Sequence, residues 1–151
     1  PEQFRLLGME NVLILGYGIE GKATQKYLKS FYPKIKIGIA DQKLDKNYLR
    51  VQEKFDIAIK TPFIKKELVS IPYTTATNIF FSRVKGKNMV IGVTGSKGKS
   101  TTSSLIYHIL KTAGKNVVLL GNIGKPMLET LINPIPKKRI FAVLKQLLTN
   151  K

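Results

Sequence analysis

The 151-residue sequence has no cysteine, one histidine, and nine acidic residues against 26 lysines and arginines. The absence of cysteine excludes a disulfide scaffold, a thiolate metal site and a cysteine nucleophile, and it fits a reducing compartment. No apolar run reaches the roughly 18 residues that a membrane helix needs, and the first residues do not resemble a signal peptide. We therefore expect a cytoplasmic protein without membrane insertion.

The shortage of acidic residues leaves a formal charge of +17, which predicts an anionic partner. Nucleic acid is one candidate, but the lysines are spread along the chain without an RNA-binding sheet motif, zinc finger or helix-turn-helix. We therefore expect no nucleic-acid partner and favour nucleotides or diphosphate sugars, which are also anions. The single histidine, His108, lies in a predicted helix and is interpreted as a surface residue.

The first half of the chain has the pattern of a parallel α/β domain. A buried strand is predicted over residues 12–15, a helix over 22–31, and a second strand over 35–40 that ends at Asp41. A third strand is predicted over 56–59 and a short helix over 78–83. Residues 85–87 read as a linker, so the first domain is predicted to span residues 1–86.

After the linker the same pattern begins again. A strand over 89–93 leads through a loop to a helix over 100–113, which Gly114 ends, and further strands are predicted over 116–120 and 140–144. A short helix is predicted near 126–131. One face of the long helix carries Leu105, Ile106, Ile109, Leu110 and Ala113. The second domain is predicted to span 87–151, which is short for an α/β domain, and to be truncated.

The first glycine-rich loop is Gly16-Tyr-Gly-Ile-Glu-Gly21, which fits G-x-G-x-x-G between a strand and a helix. Asp41 follows at the spacing of about 20 residues that the pattern requires. Backbone amides at the positive end of a helix favour a diphosphate there. The attached groups stay open: a dinucleotide-binding oxidoreductase or a nucleotide-sensing module is one interpretation, and a tight turn that binds nothing is another.

The second loop, Thr94-Gly-Ser-Lys-Gly-Lys-Ser-Thr101, also joins a strand to a helix. Its amides can surround phosphates, Lys99 can reach the terminal phosphates, and the Ser100 hydroxyl can bind Mg²⁺. It departs from the Walker A pattern, because Gly92 lies one residue too early. A flexible surface loop is the alternative.

These features together resemble the D-glutamate-adding branch of the Mur ligase family. The second loop fits that family's T-G-[ST]-x-G-K-[ST]-[ST] pattern, and Gly121-Asn-Ile-Gly124 is similar to its G-N-I-G segment. The resemblance implies a Rossmann-like domain that binds a UDP-sugar, followed by the beginning of a P-loop ATPase domain. It also implies ATP and Mg²⁺ as cofactors and a monomer as the full-length state. A carboxyl-terminal amino-acid-binding domain is absent from this sequence.

The resemblance also assigns roles to individual residues. It places the UDP-sugar at Gly18, Ile19, Glu20, Asp41, Lys43, Thr61 and Asn122. ATP is placed at Gly95, Ser96, Lys97, Gly98, Lys99, Ser100 and Thr101, with Lys99 as the catalytic residue and Ser100 on the metal. Lys97 replaces the commoner asparagine, which still leaves its amide available. Phe63 stands where the family's S-P-G-I turn has glycine, which puts the diphosphate contact of that turn in question.

The implied reaction joins D-glutamate to UDP-N-acetylmuramoyl-L-alanine in peptidoglycan precursor synthesis. ATP phosphorylates the carboxylate of the UDP-sugar, and the amine of D-glutamate attacks the acyl phosphate. The family's metal-binding glutamate, in a V-L-E-L-S-S segment, falls on Lys145, and a charged lysine cannot bind Mg²⁺. We therefore expect an inactive fragment whose tail from about residue 145 reflects a frameshift, a gene fragment or a premature end.

Overall fold

A computed structural model describes residues 9–86, 88–121, 125–133 and 140–144. Of residues 141–144 it describes the backbone alone. The chain divides into two compact units between Arg83 and Val84. The sequence-based boundary near Gly86 lies three residues further along. The ligands assigned to the two units remain predictions.

The first unit is built on a four-stranded parallel sheet. Its strands are β1 (Asn11–Leu15), β2 (Lys36–Ala40), β3 (Ile57–Lys60) and β4 (Tyr73–Thr75), in the order β2-β1-β3-β4. The side chains of Val12 to Leu15 have no exposed area, because β1 is an interior strand covered on both faces. The unbroken apolar run in β1 is therefore the centre of this core. The sequence analysis missed β4, whose three residues are too few for a recognisable pattern.

Two helices belong to this part of the chain, α1 (Ile19–Phe31) and α2 (Ala76–Val84). Helix α1 begins three residues before the predicted start, inside the glycine loop, and it buries Gly21, Ala23, Thr24, Tyr27 and Leu28. A 3₁₀ segment, Tyr48–Lys54, links β2 to β3. The Phe55 ring that follows it packs on Gly38, where an added Cβ would overlap the ring. Glycine in β2 is therefore what lets this ring reach the sheet.

The strand order creates a switch point at the carboxyl edge of the sheet. The chain goes from β1 through α1 to β2 on one side and then crosses to β3 on the other side of β1. Connections that leave in opposite directions open a crevice beyond the ends of the two strands, where ligands of open α/β sheets bind. In this chain the switch point lies between the loop after β1 and the turn after β3.

The second unit has a three-stranded parallel sheet. Its strands are β5 (Met89–Val93), β6 (Val117–Gly121) and β7 (Ile140–Leu144), in the order β5-β7-β6. Helix α3 (Lys99–Thr112) follows β5. Where a short helix was predicted near 126–131, the structure has a 3₁₀ turn, Glu129–Leu131. None of the described helices combines the length and apolar character needed to cross a membrane.

The apolar residues predicted along α3 are less buried than a core-facing set would be. Leu105 and Ile109 expose more than half of their side-chain area, and the buried position of this helix is Ser103. Ser103 Oγ donates to the carbonyl oxygens of Lys99 and Ser100, at 2.8 and 3.2 Å. Helical spacing identified the apolar face of α3, but the burial of that face depends on what packs against it.

Candidate functional sites

The turn after β1 needs glycine at two positions. Gly16 has a φ of +90°, and a Cβ there would overlap the side-chain oxygen of Thr61. A Cβ on Gly21 would overlap the carbonyl oxygen of Gly16, so this glycine lets α1 start against the turn. The Gly16 amide donates to the Ala40 carbonyl at 2.8 Å. The first glycine pattern is therefore a tightly packed strand-to-helix turn.

The amino terminus of α1 offers free backbone donors. Gly18 is the cap residue, it has no side chain to cap the helix, and the first helical bond runs from the Lys22 amide to the Gly18 carbonyl at 3.0 Å. The amides of residues 19–21 thus have no partner inside the helix. Ile19 is 78% exposed, and burial raises the pKa of the Glu20 carboxyl. An anion at this helix end would be stabilised by the amides and the helix dipole.

Asp41 connects the turns after β1 and β2. Its carboxylate accepts hydrogen bonds from the Tyr17 amide at 2.6 Å and from the Lys43 amide at 2.8 Å. Both hydrogen bonds lower the pKa of Asp41, and the bond from Tyr17 has the larger effect. Both oxygens are therefore engaged with the chain's own backbone. Asp41 shapes the site by holding the two turns together, and Lys43 stands exposed beside it.

Thr61 ties the turn after β3 to the turn after β1. Its amide donates to the Leu15 carbonyl at 2.9 Å, and its side chain packs on Gly16. Sequence reasoning missed Lys60, whose Nζ donates to the Ile64 carbonyl at 2.9 Å and lies 5.8 Å from the centre of the Tyr73 ring. A lysine at the last position of an otherwise apolar strand was the available signal.

The loop after β5 has the backbone of a phosphate-binding turn. Residues 94–98 are exposed, and two glycines have positive φ, +148° at Gly95 and +74° at Gly98. Helix α3 begins at Lys99, and its first helical bond joins the Thr102 amide to the Gly98 carbonyl at 2.9 Å. The amides of residues 99–101 are left without helical partners, as at the first loop.

Lys99 folds back over this loop. Its Nζ donates to the Gly95 carbonyl and, at 3.0 Å, to the Ser96 carbonyl. The cation therefore lies beside the amides of the turn, where it can pair with phosphate oxygens instead of carbonyls. The loop thus combines free amides, the positive end of α3 and the Lys99 ammonium. This combination fits the phosphates of a nucleotide.

Among the described residues, Ser100 is the predicted ligand of the metal expected with the nucleotide. The Ser100 side chain is exposed in the first turn of α3. The described residues contain no group of three or more carboxylates or histidines placed to hold a metal ion. This arrangement fits a Mg²⁺ ion bound mainly by phosphate oxygens and water, with Ser100 adding one oxygen.

The predicted residues thus form two groups. Those at the carboxyl edge of the first sheet are Gly18, Ile19, Glu20, Asp41, Lys43 and Thr61, and residues 95–101 form the second loop. Asn122 and Lys145 lie outside the described residues, and their roles remain predictions. His108 is exposed on α3, as expected.

Comparison with known proteins bears on this arrangement. Residues 93–148, which include the second loop, match the family described as the Mur ligase middle domain. Residues 93–148 of this chain therefore belong to the Mur ligase middle-domain family. The suspected resemblance to the Mur ligases and the α/β fold class are therefore confirmed.

Individual relatives agree with this placement. The chain is 31% identical over 137 residues to a UDP-N-acetylmuramoylalanine--D-glutamate ligase of Oenococcus oeni. This match covers 82% of this chain and 31% of the relative. It is 32% identical over 165 residues to a UDP-N-acetylmuramoyl-L-alanine--L-glutamate ligase of Xanthomonas euvesicatoria, covering 89% of this chain and 34% of the relative. The chain thus spans about a third of the length of these curated relatives.

A solved structure shows the same fold. It is a UDP-N-acetylmuramate:L-alanyl-gamma-D-glutamyl-meso-diaminopimelate ligase from Neisseria meningitides, with a TM-score of 0.50 and 17% identity. The match covers 90% of this chain and 52% of that one. At this identity the likeness supports the fold alone.

Proposed function

We propose that this chain is the amino-terminal part of an ATP-dependent Mur ligase that adds D-glutamate to UDP-N-acetylmuramoyl-L-alanine in the cytoplasm. Residues 1–86 bind the UDP-sugar, and residues 87–151 bind ATP with Mg²⁺. The observation that carries the proposal is the pair of loops, each joining a parallel strand to an uncapped helix end, with the Mur ligase match over the second. Two phosphate-binding loops suit an enzyme with two phosphate-bearing substrates.

The second loop would serve ATP by positioning and charge neutralisation. The amides of residues 99–101 and the Lys99 ammonium would face the phosphates, and Ser100 would add an oxygen to the coordination of Mg²⁺. When bound, Mg²⁺ would screen the phosphate charge. Lys99 must exchange the Gly95 and Ser96 carbonyls for phosphate oxygens, which are stronger acceptors.

The second loop favours a ligase over a nicotinamide-dependent oxidoreductase. In dinucleotide-binding domains the equivalent acid accepts hydrogen bonds from ribose hydroxyls. Here both carboxylate oxygens already accept backbone amides. Each oxygen keeps a lone pair for a ligand hydroxyl, so Asp41 suits either a UDP-sugar or a nicotinamide dinucleotide. The oxidoreductase interpretation leaves the second loop unexplained.

Calorimetric titration of the chain tests the UDP-sugar assignment. UDP-N-acetylmuramoyl-L-alanine is titrated first, with NADH and a random oligonucleotide as comparison ligands at moderate salt. We expect saturable binding of the UDP-sugar and none of NADH. Binding of NADH with the UDP-sugar inert would overturn the proposal, and binding of the oligonucleotide alone would favour a nucleic-acid-binding protein.

A second titration tests the ATP assignment. Lys99→Ala should weaken ATP binding roughly tenfold or more, because a charge-assisted hydrogen bond to phosphate contributes about 1.5–3 kcal/mol. Lys111→Ala is the matched control, since Lys111 lies in the last turn of the same helix. Equal loss in both variants would indicate attraction by general charge and contradict a specific site.

A further inference from the structure

Phe63 is the most exposed of the large apolar side chains at the carboxyl edge of the first sheet. Its side chain is 88% exposed, whereas the neighbouring Ile64 packs against the core cluster below it. Single exposed apolar residues are common and need no function. Phe63 is distinguished by the turn that carries it and by where that turn lies.

The turn that carries Phe63 is anchored at both ends. The Thr61 amide bonds to the Leu15 carbonyl at 2.9 Å, and the Ile64 amide bonds to the Thr61 carbonyl at 3.2 Å. Lys60 Nζ bonds to the Ile64 carbonyl at 2.9 Å, and Pro62 restricts the backbone between them. The backbone of the turn is thus held in place, so contact with a ligand orders only the Phe63 side chain.

This position lies on the rim of the first sheet, beside the switch point at its carboxyl edge. The loop after β1 forms one side, with Ile19 78% exposed, and the turn after β3 forms the other, with Phe63. The free amides at the start of α1 lie on the β1 side and attract a diphosphate. A nucleoside diphosphate sugar carries a ring on each side of its diphosphate, so a ring of the ligand has to pass near this rim.

We propose that Phe63 is a specificity-determining residue of the first unit, whose ring stacks on a ring of a bound nucleoside diphosphate sugar. The inference rests on the proposed UDP-sugar function. Stacking removes the exposed Phe63 face from water and adds the attraction between flat ring surfaces. The partner ring is either the base or the hexose, and both present a flat apolar face.

The test is a calorimetric titration of the full chain with UDP and with UDP-N-acetylglucosamine. Phe63→Ala should weaken binding about two- to tenfold, as expected for loss of an aromatic stacking contact. Phe63→Trp, which keeps an aromatic ring at this position, should bind as tightly as the parent chain. Leu68→Ala is the matched control, since Leu68 is also partly exposed and follows the turn. Thermal unfolding of each variant checks that the fold is kept.

The two ligands separate the possible partner rings. Weaker binding of both ligands to Phe63→Ala identifies the base, and weaker binding of UDP-N-acetylglucosamine alone identifies the hexose. Unchanged binding of both to Phe63→Ala, with the parent chain binding normally, overturns the role of Phe63 and leaves the proposed function intact. If the parent chain binds neither ligand, the proposed function and the inference both fail.

Discussion

At the scale of single residues, the contact between Gly38 and Phe55 is sensitive to substitution. A methyl group on Gly38 would overlap the ring, so the ring or the strand would have to shift. We predict that Gly38→Ala lowers the free energy of unfolding by about 1–3 kcal/mol, as overpacking does. Urea unfolding measures this. Gly92→Ala is the control, because it is also in a strand and a Cβ there has open space.

Two carboxylates of the first unit predict how stability depends on pH. Backbone hydrogen bonds lower the pKa of Asp41, through Tyr17 and Lys43, and of Asp56, through Asn11 and Glu10. A carboxyl whose pKa is lower in the folded state stabilises the fold above its ordinary pKa near 3.9, and this contribution is lost as pH falls through the lowered value.

We therefore predict that Asp41→Asn reduces the loss of stability on acidification below about pH 4. Urea unfolding at a series of pH values measures this dependence. Glu67→Gln removes an equal charge from an exposed ion pair 3.9 Å long and serves as the control. If the two variants show the same dependence, the Asp41 hydrogen bonds do not contribute to it.

At the scale of elements, α3 carries its apolar residues outside the core. We predict that replacing both Leu105 and Ile109 with glutamine changes the free energy of unfolding by less than about 0.5 kcal/mol, as for other exposed positions. Leu120→Ala, at a fully buried position of β6, should cost about 2–5 kcal/mol. Comparable losses of unfolding free energy in the two variants would mean that Leu105 and Ile109 are packed in solution.

The start of α3 gives a second prediction at this scale. Gly98 has a φ of +74° and open space around it, so an added methyl group meets strain from the backbone conformation alone. Gly98→Ala should therefore weaken ATP binding by shifting the loop, at a cost of about 1–2 kcal/mol. Titration with ATP measures the effect. Gly86→Ala, also at positive φ but outside the loop, should leave ATP binding unchanged.

At the scale of the whole molecule, the positive charge is unevenly distributed. Residues 84–151 contain 12 lysines and arginines and one acid, Glu129, whereas residues 1–83 contain 14 and eight. The formal charges are therefore +11 and +6. Such a field attracts any polyanion, so weak binding of nucleic acid is expected whatever the specific ligand.

We predict that this general attraction and the specific site differ in salt dependence. Affinity for a random oligonucleotide should fall steeply between about 50 and 200 mM salt, because many counterions are released. Affinity for the UDP-sugar, which depends on a few hydrogen bonds and contacts, should fall much less. Titration at several salt concentrations measures both slopes. Equal slopes would indicate that the UDP-sugar is held by charge alone.

The sequence by itself determined the local structure of this protein. The run Val12 to Leu15 predicts a buried strand because parallel strands are covered on both faces, and the spacing of glycines predicts both strand-to-helix turns. Bounds of most predicted helices and strands agree with the structure to within a few residues, because hydrophobic period and turn chemistry are local properties. Similarity of the second loop to the Mur ligases was likewise readable from a few consecutive residues.

The tertiary structure alone decided which distant residues meet. It places β3 beside β1, which puts the switch point next to Thr61, and it directs Asp41 to the amides of Tyr17 and Lys43. It also leaves Phe63 and Leu105 exposed although their residue type favours burial. These outcomes depend on strand order and on the packing of segments far apart in the chain. No local pattern encodes them, because the free energy of each contact depends on what the rest of the fold brings against it.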